Sequence, residues 1–206
     1  MKRLLPYREE DGHDVRNGFA LVDAQVNDSI TTVGLGDDGV LVKVSVCDLD
    51  ADVTYSNDAY LGKTDYPHVY DSMYPTNPRK IEACAAGENR GAVLGFTLKE
   101  TALKDEHGQS FLYDREKADR NYVVIKGKSV PVLVRGVITL SQAGITGTLV
   151  TGAGFKPSLT EIGKVETCVV TDVDSLGLVL GTGTRTSKTG ITDKFEGHYA
   201  MLDIRL

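Results

Sequence analysis

Tryptophan is absent from the 206 residues, and cysteine is confined to Cys47, Cys84 and Cys168. The three thiols are far apart, with no CxxC pair and no Cys/His cluster at metal spacing. Neither a zinc site nor a disulfide framework is expected; the cysteines read as small buried hydrophobes of a reduced protein. Histidine is nearly as scarce, and His13, His68, His107 and His198 do not pair at ligand spacing. No GxSxG, HExxH or Cys/His arrangement occurs. The carboxylates crowd polar stretches rather than the apolar runs where a raised pKa would be expected. An enzyme is therefore not expected, nor a bound cofactor or metal. Positive charge is short as well: the formal net charge is −6, which argues against a general nucleic-acid binder, since phosphate neutralisation needs clustered Lys and Arg. No apolar run approaches the ~20 residues of a membrane-spanning helix. The opening MKRLLPYREEDGHD turns acidic at once and carries no apolar core of a signal peptide. The chain reads as a soluble protein made in a cytoplasm, with no membrane partner.

What is present is β pattern and glycine. The 22 glycines are spread along the chain, as tight turns between short strands require. The stretch Tyr122–Leu140, YVVIKGKSVPVLVRGVITL, holds β-branched and aliphatic residues broken only by Gly127, Pro131 and Gly136. It reads as extended segments, 122–126 and 130–140, meeting at a corner. VLVKVSV, Val40 to Val46, alternates like a half-buried strand, and a shorter strand is expected over 30–33. AVLGFTL and SFLY flank a hairpin turn at 104–108. Asp114 to Arg120, DREKADR, is the one short helix expected, with Asp114 as its N-cap. Residues 141–163 read as loop with a short strand near 148–151. Strands over 164–171 and 177–180 are joined by the acidic turn DVDS, and HYAMLDIRL closes the chain as a strand. Residues 181–197 read as a polar, mobile loop.

The class that follows is all-β: sandwich or barrel modules with an extended N-terminal arm and one short helix. Residues 1–20 form the arm. Residues 21–90 form a β region interrupted by a loop over 48–80, and 91–206 form a barrel-like core, either continuous with 21–90 or separate from it. The loop carries Tyr55, Tyr60, Tyr66, Tyr70 and Tyr74 with three prolines and six aspartates. Loops this long are commonly functional, and Tyr buries area at low entropic cost.

Three motifs carry less than their letters promise. GLGDDG, Gly34 to Gly39, matches GxGxxG, but a strand follows where a dinucleotide site needs a helix, and Asp37 and Asp38 would repel phosphate. DLDADV, Asp48 to Val53, begins like a calcium loop and then lacks its Gly and Glu. GTGTRTSKTG, Gly181 to Gly190, never supplies the order of a P-loop.

Three segments taken together resemble the cement, or decoration, proteins of tailed bacteriophages. They are LPYREEDGHDVRNGFAL (Leu5–Leu21), the long run from Gly91 to Leu140, and the final GKVETCVVTDVDSLGLVL with YAMLDIRL. In the middle run a Leu-Gly hairpin with an Asp-Glu-x-Gly turn leads into a short charged segment and then a V-x-x-G-x-x-VPVL-x-x-G strand pair. The resemblance implies a β-rich virion protein without catalysis, placed on the outer capsid surface. Its partners would be the major capsid protein and its own copies, as a homotrimer or other small homo-oligomer. On that implication the arm, through Leu5, Tyr7, Arg8, Val15 and Phe19, lies on the capsid protein or a sister subunit, and the five loop tyrosines add interface area. Deleting residues 2–16 is then expected to abolish capsid binding and leave the domain folded. A tail, baseplate or head-fibre module, a carbohydrate-binding adhesion module and a small hydrolase are the competing readings.

Overall fold

Alternation decides which residues face inward. In GHYAMLDIR, near the end of the chain, Ala200, Leu202 and Ile204 are fully buried while Met201 and Asp203 between them are not. This is the period of two that a sheet with one face on a core imposes. The structure, a computed structural model, describes residues 3–20, 36–45, 80–102, 115–120, 122–125, 129–186 and 197–206. They form an all-β fold with one short helix, α1 (Arg115–Arg120). The first half supplies β1 (Leu4–Glu9), β2 (Val15–Ala20), β3 (Leu41–Ser45), β4 (Lys80–Ala83), β5 (Val93–Thr97) and β6 (Glu100–Ala102). Next come β7 (Val123–Ile125), β8 (Ser129–Leu133), β9 (Arg135–Ser141) and β10 (Gly154–Pro157). The last are β11 (Val165–Cys168), β12 (Gly177–Arg185) and β13 (Gly197–Arg205).

Six strands lie side by side in the order β1-β9-β13-β12-β10-β11, every neighbour antiparallel. Five others, β2-β4-β3-β5-β8, close on themselves as a ring because β8 pairs back to β2. Within the ring only the β2–β4 contact is parallel. β6 and β7 make a separate parallel pair. The apolar run at the centre of the chain joins the two bodies: β8 belongs to the ring and β9 to the sheet. The strand expected over 130–140 is thus two strands. The break falls at Val134, whose N–H donates to the Asp14 carbonyl at 2.9 Å. Just beyond it Gly136 adopts a φ of 134°.

The main apolar cluster draws on both bodies, packing Leu41, Phe96 and Leu133 of the ring against Ile138, Leu140, Phe155, Leu202 and Ile204 of the sheet. The Phe96 and Phe155 rings meet at 6.4 Å, tilted by 51°, within the range that favours aromatic pairs. A second cluster, Val40, Val42, Ile81, Ala83, Val130 and Val132, fills the ring. Gly18 makes room there, since a Cβ on it would lie 2.4 Å from Ile81 Cγ2. Residues on both sides of position 90 thus share one ring and one core.

Three local expectations change. No strand forms over 148–151; Leu149 is buried there as a plug, and the chain turns before pairing as β10. The Gly and Pro that bound β10 hid it. The strand expected over 164–171 stops at Cys168, where the chain folds into successive turns. Residues 181–185 are strand, because Gly181 to Arg185 pair in register with Met201 to Gly197. α1 starts at Arg115; Asp114, the expected SFLY strand and the 30–33 strand lie outside the described residues.

Gly163 holds the ring to the sheet. Its N–H donates to the Cys84 carbonyl at 2.9 Å, and its own carbonyl accepts from Leu41 N–H at 3.1 Å and from Arg3 Nη1 at 3.0 Å. Its φ is 66°, and a Cβ there would sit 2.7 Å from Val40 Cγ1. Gly147, with a φ of 74°, has nothing within 4 Å. Gly147→Ala should therefore cost only the left-handed strain, about 1–2 kcal/mol. Gly163→Ala should cost a further ~1–3 kcal/mol of overpacking. Urea denaturation midpoints of the two variants check this, and equal shifts would refute the role given to Gly163.

Candidate functional site

The loop after β11 is built from its carboxylates. Asp172 N–H donates to the Val169 carbonyl at 2.9 Å and Ser175 N–H to the Asp172 carbonyl at 3.1 Å, two successive turns. Asp172 Oδ1 accepts from Asp174 N–H at 3.1 Å, and Oδ2 lies 3.4 Å from Lys156 Nζ. The backbone bond from Asp174, then Lys156, hold the Asp172 carboxyl below its ordinary value. The hydrogen bond to Asp172 outweighs partial burial and raises Lys156. Asp174 Oδ1 accepts from Arg90 N–H at 3.1 Å, and Arg90 Nη2 donates to the Arg205 carbonyl at 2.7 Å.

With the polar groups turned inward, the loop presents aliphatic side chains to solvent. Val169 is 70% exposed and Val173 87%, with Val170 at 48%. Since Gly154 pairs with Cys168, the turn preceding β10 lies at the same end of the sheet, and it exposes Val150. Leu180, at the irregularity in β12, is exposed close by in the same strand register. A groove of about 620 Å³ runs beneath the loop between Arg90, Val93, Val173, Asp174 and Leu206. Single exposed hydrophobes need no explanation, but several on one hydrogen-bonded loop make this the candidate contact surface. At the other end of the β10–β11 hairpin, Leu159 and Ile162 are exposed on a loop that Ser158 Oγ, Glu161 and Lys164 brace.

The ring has one rim facing away from the sheet. Phe19 pairs with both Ser129 and Lys80, and Ser45 also pairs with Lys80. The ends of β2 and β3 and the starts of β4 and β8 therefore stand side by side. Residues 46–79 connect two of these strands, so the tyrosine-rich segment leaves and re-enters at this rim. Tyr55, Tyr60, Tyr66, Tyr70 and Tyr74 themselves lie outside the described residues, as do Cys47 and the calcium-like DLDADV.

The five arm residues separate. Leu5 is buried and Val15 packs on the main cluster. Tyr7 is exposed, its hydroxyl donating to Glu9 Oε1 at 2.5 Å, a bond that raises the phenol pKa. Arg8 lies 3.7 Å from Glu10 at the surface, and Phe19 belongs to β2. Residues 3–9 and 15–20 are strands of this chain's own sheet and ring, so deleting 2–16 removes structure and does not leave the domain intact. That corrects the expectation of a separable arm. The signal was present in LL at positions 4–5, which a charged surroundings obscured.

GLGDDG ends in a turn over 36–39 that leads into β3, and no helix follows. Burial pushes the Cys84 thiol up to about 12, as suits a small core residue. Among the described residues no three His, Cys, Asp or Glu are grouped to hold a metal ion, and no helix is long and apolar enough to cross a membrane. No family model matches the sequence, and no curated protein or solved structure matches the chain.

Leu4, 7% exposed within the main cluster, and Tyr7 test the structural status of β1. Leu4→Ala should cost about 2–5 kcal/mol, and Tyr7→Ala should stay within ~0.5 kcal/mol. Thermal or urea unfolding reads both, and a neutral Leu4→Ala would mean that β1 is not part of the fold.

Proposed function

We propose that this chain is a structural virion protein of a tailed bacteriophage. It binds the outer surface of the capsid and stabilises the expanded shell by bridging subunits of the major capsid protein, acting as a trimer or other small homo-oligomer. The observation that carries this reading is the division of labour along the molecule. A sheet-and-ring body is fully packed, while aliphatic side chains stand out on braced loops, Val169, Val170 and Val173 foremost. Residues 46–79, which carry the five tyrosines, join β3 to β4, whose ends pair at Ser45 and Lys80. The long central run that resembles the cement proteins contributes β5 of the ring and the consecutive β8 and β9, by which the chain passes from ring to sheet.

A cement protein needs many modest contacts repeated over a lattice, where avidity multiplies weak individual affinities. Exposed valines and Tyr7 suit such contacts, because side chains with few rotatable bonds lose little entropy on docking. Tyr7 and Arg8 stand at the surface and, with the five loop tyrosines, are the proposed capsid contacts. Leu5 and Val15 contribute indirectly, by holding the body together.

The test is co-sedimentation with expanded, empty phage heads stripped of auxiliary proteins, alongside the mass of the free protein in solution. Saturable binding at a fixed ratio to the major capsid protein is expected. Changing Val169, Val170 and Val173 together to Ser should weaken that binding by on the order of tenfold or more, as loss of interface anchors does, with unfolding unchanged. Absence of binding by the wild-type protein, with a stable oligomer in solution, would reassign it to a tail or receptor-binding part.

A further inference from the structure

The six-stranded sheet has a second face. Alternation sends Ala200, Leu202 and Ile204 of β13 into the core, so Tyr199, Met201 and Asp203 point the other way. The ladder extends that face sideways. Asp203 lies opposite Val137 of β9 and Leu178 of β12, and Val137 lies opposite Glu9 of β1. Met201 stands between Thr139 and Gly181, and Tyr199 between Ser141 and Gly183. Val137, Leu178 and Met201 lie outside both core clusters. An antiparallel sheet with one wetted face turns polar residues outward. Here Val137, Leu178, Met201 and Tyr199 stand in those places, each partly exposed.

The face is also flat. Gly181 and Gly183 bring no side chains, and the side chains of β13 lie down over them. A Cβ on Gly183 would come within 2.5 Å of the Tyr199 Cζ and hydroxyl, and one on Gly181 would lie 3.6 Å from the Met201 Cε. A ridge bounds the face beyond β12. Phe155 of β10 points into the core, so Gly154 points outward. A Cβ on Gly154 would meet Ser175 Oγ at 2.8 Å and the Val169 carbonyl at 3.1 Å, because the loop 169–175 passes over β10.

The charges of the face are balanced within it. Glu9 and Asp203 stand near one end with Arg135 and Arg205, which pair across β9 and β13. Arg205 Nη2 holds Asp203 Oδ2 at 2.7 Å, and the Tyr7 hydroxyl donates to Glu9 at 2.5 Å. Arg185 stands at the other end of β12. In a chain of net charge −6, this face carries none of the excess.

We propose that two copies of the chain pack sheet against sheet on this face about a two-fold axis, with Val137, Leu178, Tyr199 and Met201 at the centre of the contact. A two-fold contact sets the same patch on both partners, so like meets like. An acidic chain meets its own copy only where its charges are already neutralised, and an apolar face free of standing side chains suits the close approach of aligned sheets. Four strands at about 4.8 Å, and nine residues in β12 and β13 at about 3.4 Å, make a face on the order of 500 Å² in plan. Two such faces bury about 1,000 Å² between them, the size at which a contact becomes a specific interface. The inference rests on the proposed function for its place in a virion, and narrows the small homo-oligomer of that reading to a two-fold pair. It leaves the valines of the ridge to the capsid.

Sedimentation equilibrium of the full chain over a range of concentrations tests this without any capsid. The mass expected is that of two copies. Met201→Lys should weaken self-association on the order of a hundredfold or more, since it sets like charges against each other. Changing Val169, Val170 and Val173 together to Ser should leave the mass unchanged. A Met201→Lys chain mixed with a Met201→Glu chain should form a mixed pair, although neither pairs with itself. Where circular dichroism shows that either charged chain fails to fold, Leu178→Lys and Leu178→Glu on the neighbouring strand take their place. A monomeric or trimeric wild type, an undiminished pair in Met201→Lys, dissociation by the valine changes, or no pairing on mixing would each overturn the inference. Capsid binding by a chain that forms no such pair overturns this inference alone, and a pair that binds no capsid overturns the virion reading alone.

Discussion

The backbone N–H and carbonyl of Gly163 are the point on which the two halves of the molecule depend. Its N–H and carbonyl together reach Cys84, Leu41 and Arg3, tying β4 and β3 of the ring to the first strand of the sheet. Buried backbone groups must find partners, and here the N–H and carbonyl of one residue serve Leu41 of β3 and the residues that border β4 and β1. A side chain would push it off Val40, and the left-handed backbone favours glycine independently. Around that peptide the core closes continuously, so sheet and ring are covered by each other and neither has a finished apolar face alone.

The same body leaves its sheet edges poor templates for another strand. At one edge, β1 bulges and places Pro6 in the middle of its run. At the other, Val165 of β11 is already met by Ile145, with Thr146 N–H donating to the Val165 carbonyl at 2.8 Å. Edges blocked by proline, bulges and covering segments resist strand-to-strand association. Contacts with other molecules are thereby directed to loops and side chains: the valines after β11, Leu159 and Ile162, and the rim where the tyrosine-rich segment is attached.

Much of the strand content was legible. HYAMLDIRL alternates and became β13, because one of its faces lies on a core and the other does not; Val40–Val46 supplied β3, whose start is buried on both faces, Leu41 in the main cluster and Val40 and Val42 inside the ring. β10 was not legible: GFKP has no period, and its pairing comes from β11 and β12 on either side. β12 was read too short because Gly181, Thr182 and Gly183 look like loop. They are strand because β13 supplies partners, and Gly183 in particular leaves room for the Tyr199 ring, to which a Cβ would come within 2.5 Å. The candidate surface was half legible. CVVTDVDS showed an acidic turn, but that its aspartates bind backbone and Lys156 and thereby turn the valines outward depends on residues distant in the chain.

Local pattern by itself determined the all-β class, the short helix after residue 114 and the turn at Gly36–Gly39, since period and turn chemistry act within a few residues. Tertiary structure alone decided that residues 3–9 are part of the body, that Arg3 is enclosed, and that β8 and β9 serve different layers. Those outcomes rest on contacts between residues up to 160 positions apart, Arg3 and Gly163. No local propensity encodes a partner at that distance; only the shared requirement to bury apolar surface and satisfy buried polar groups selects it.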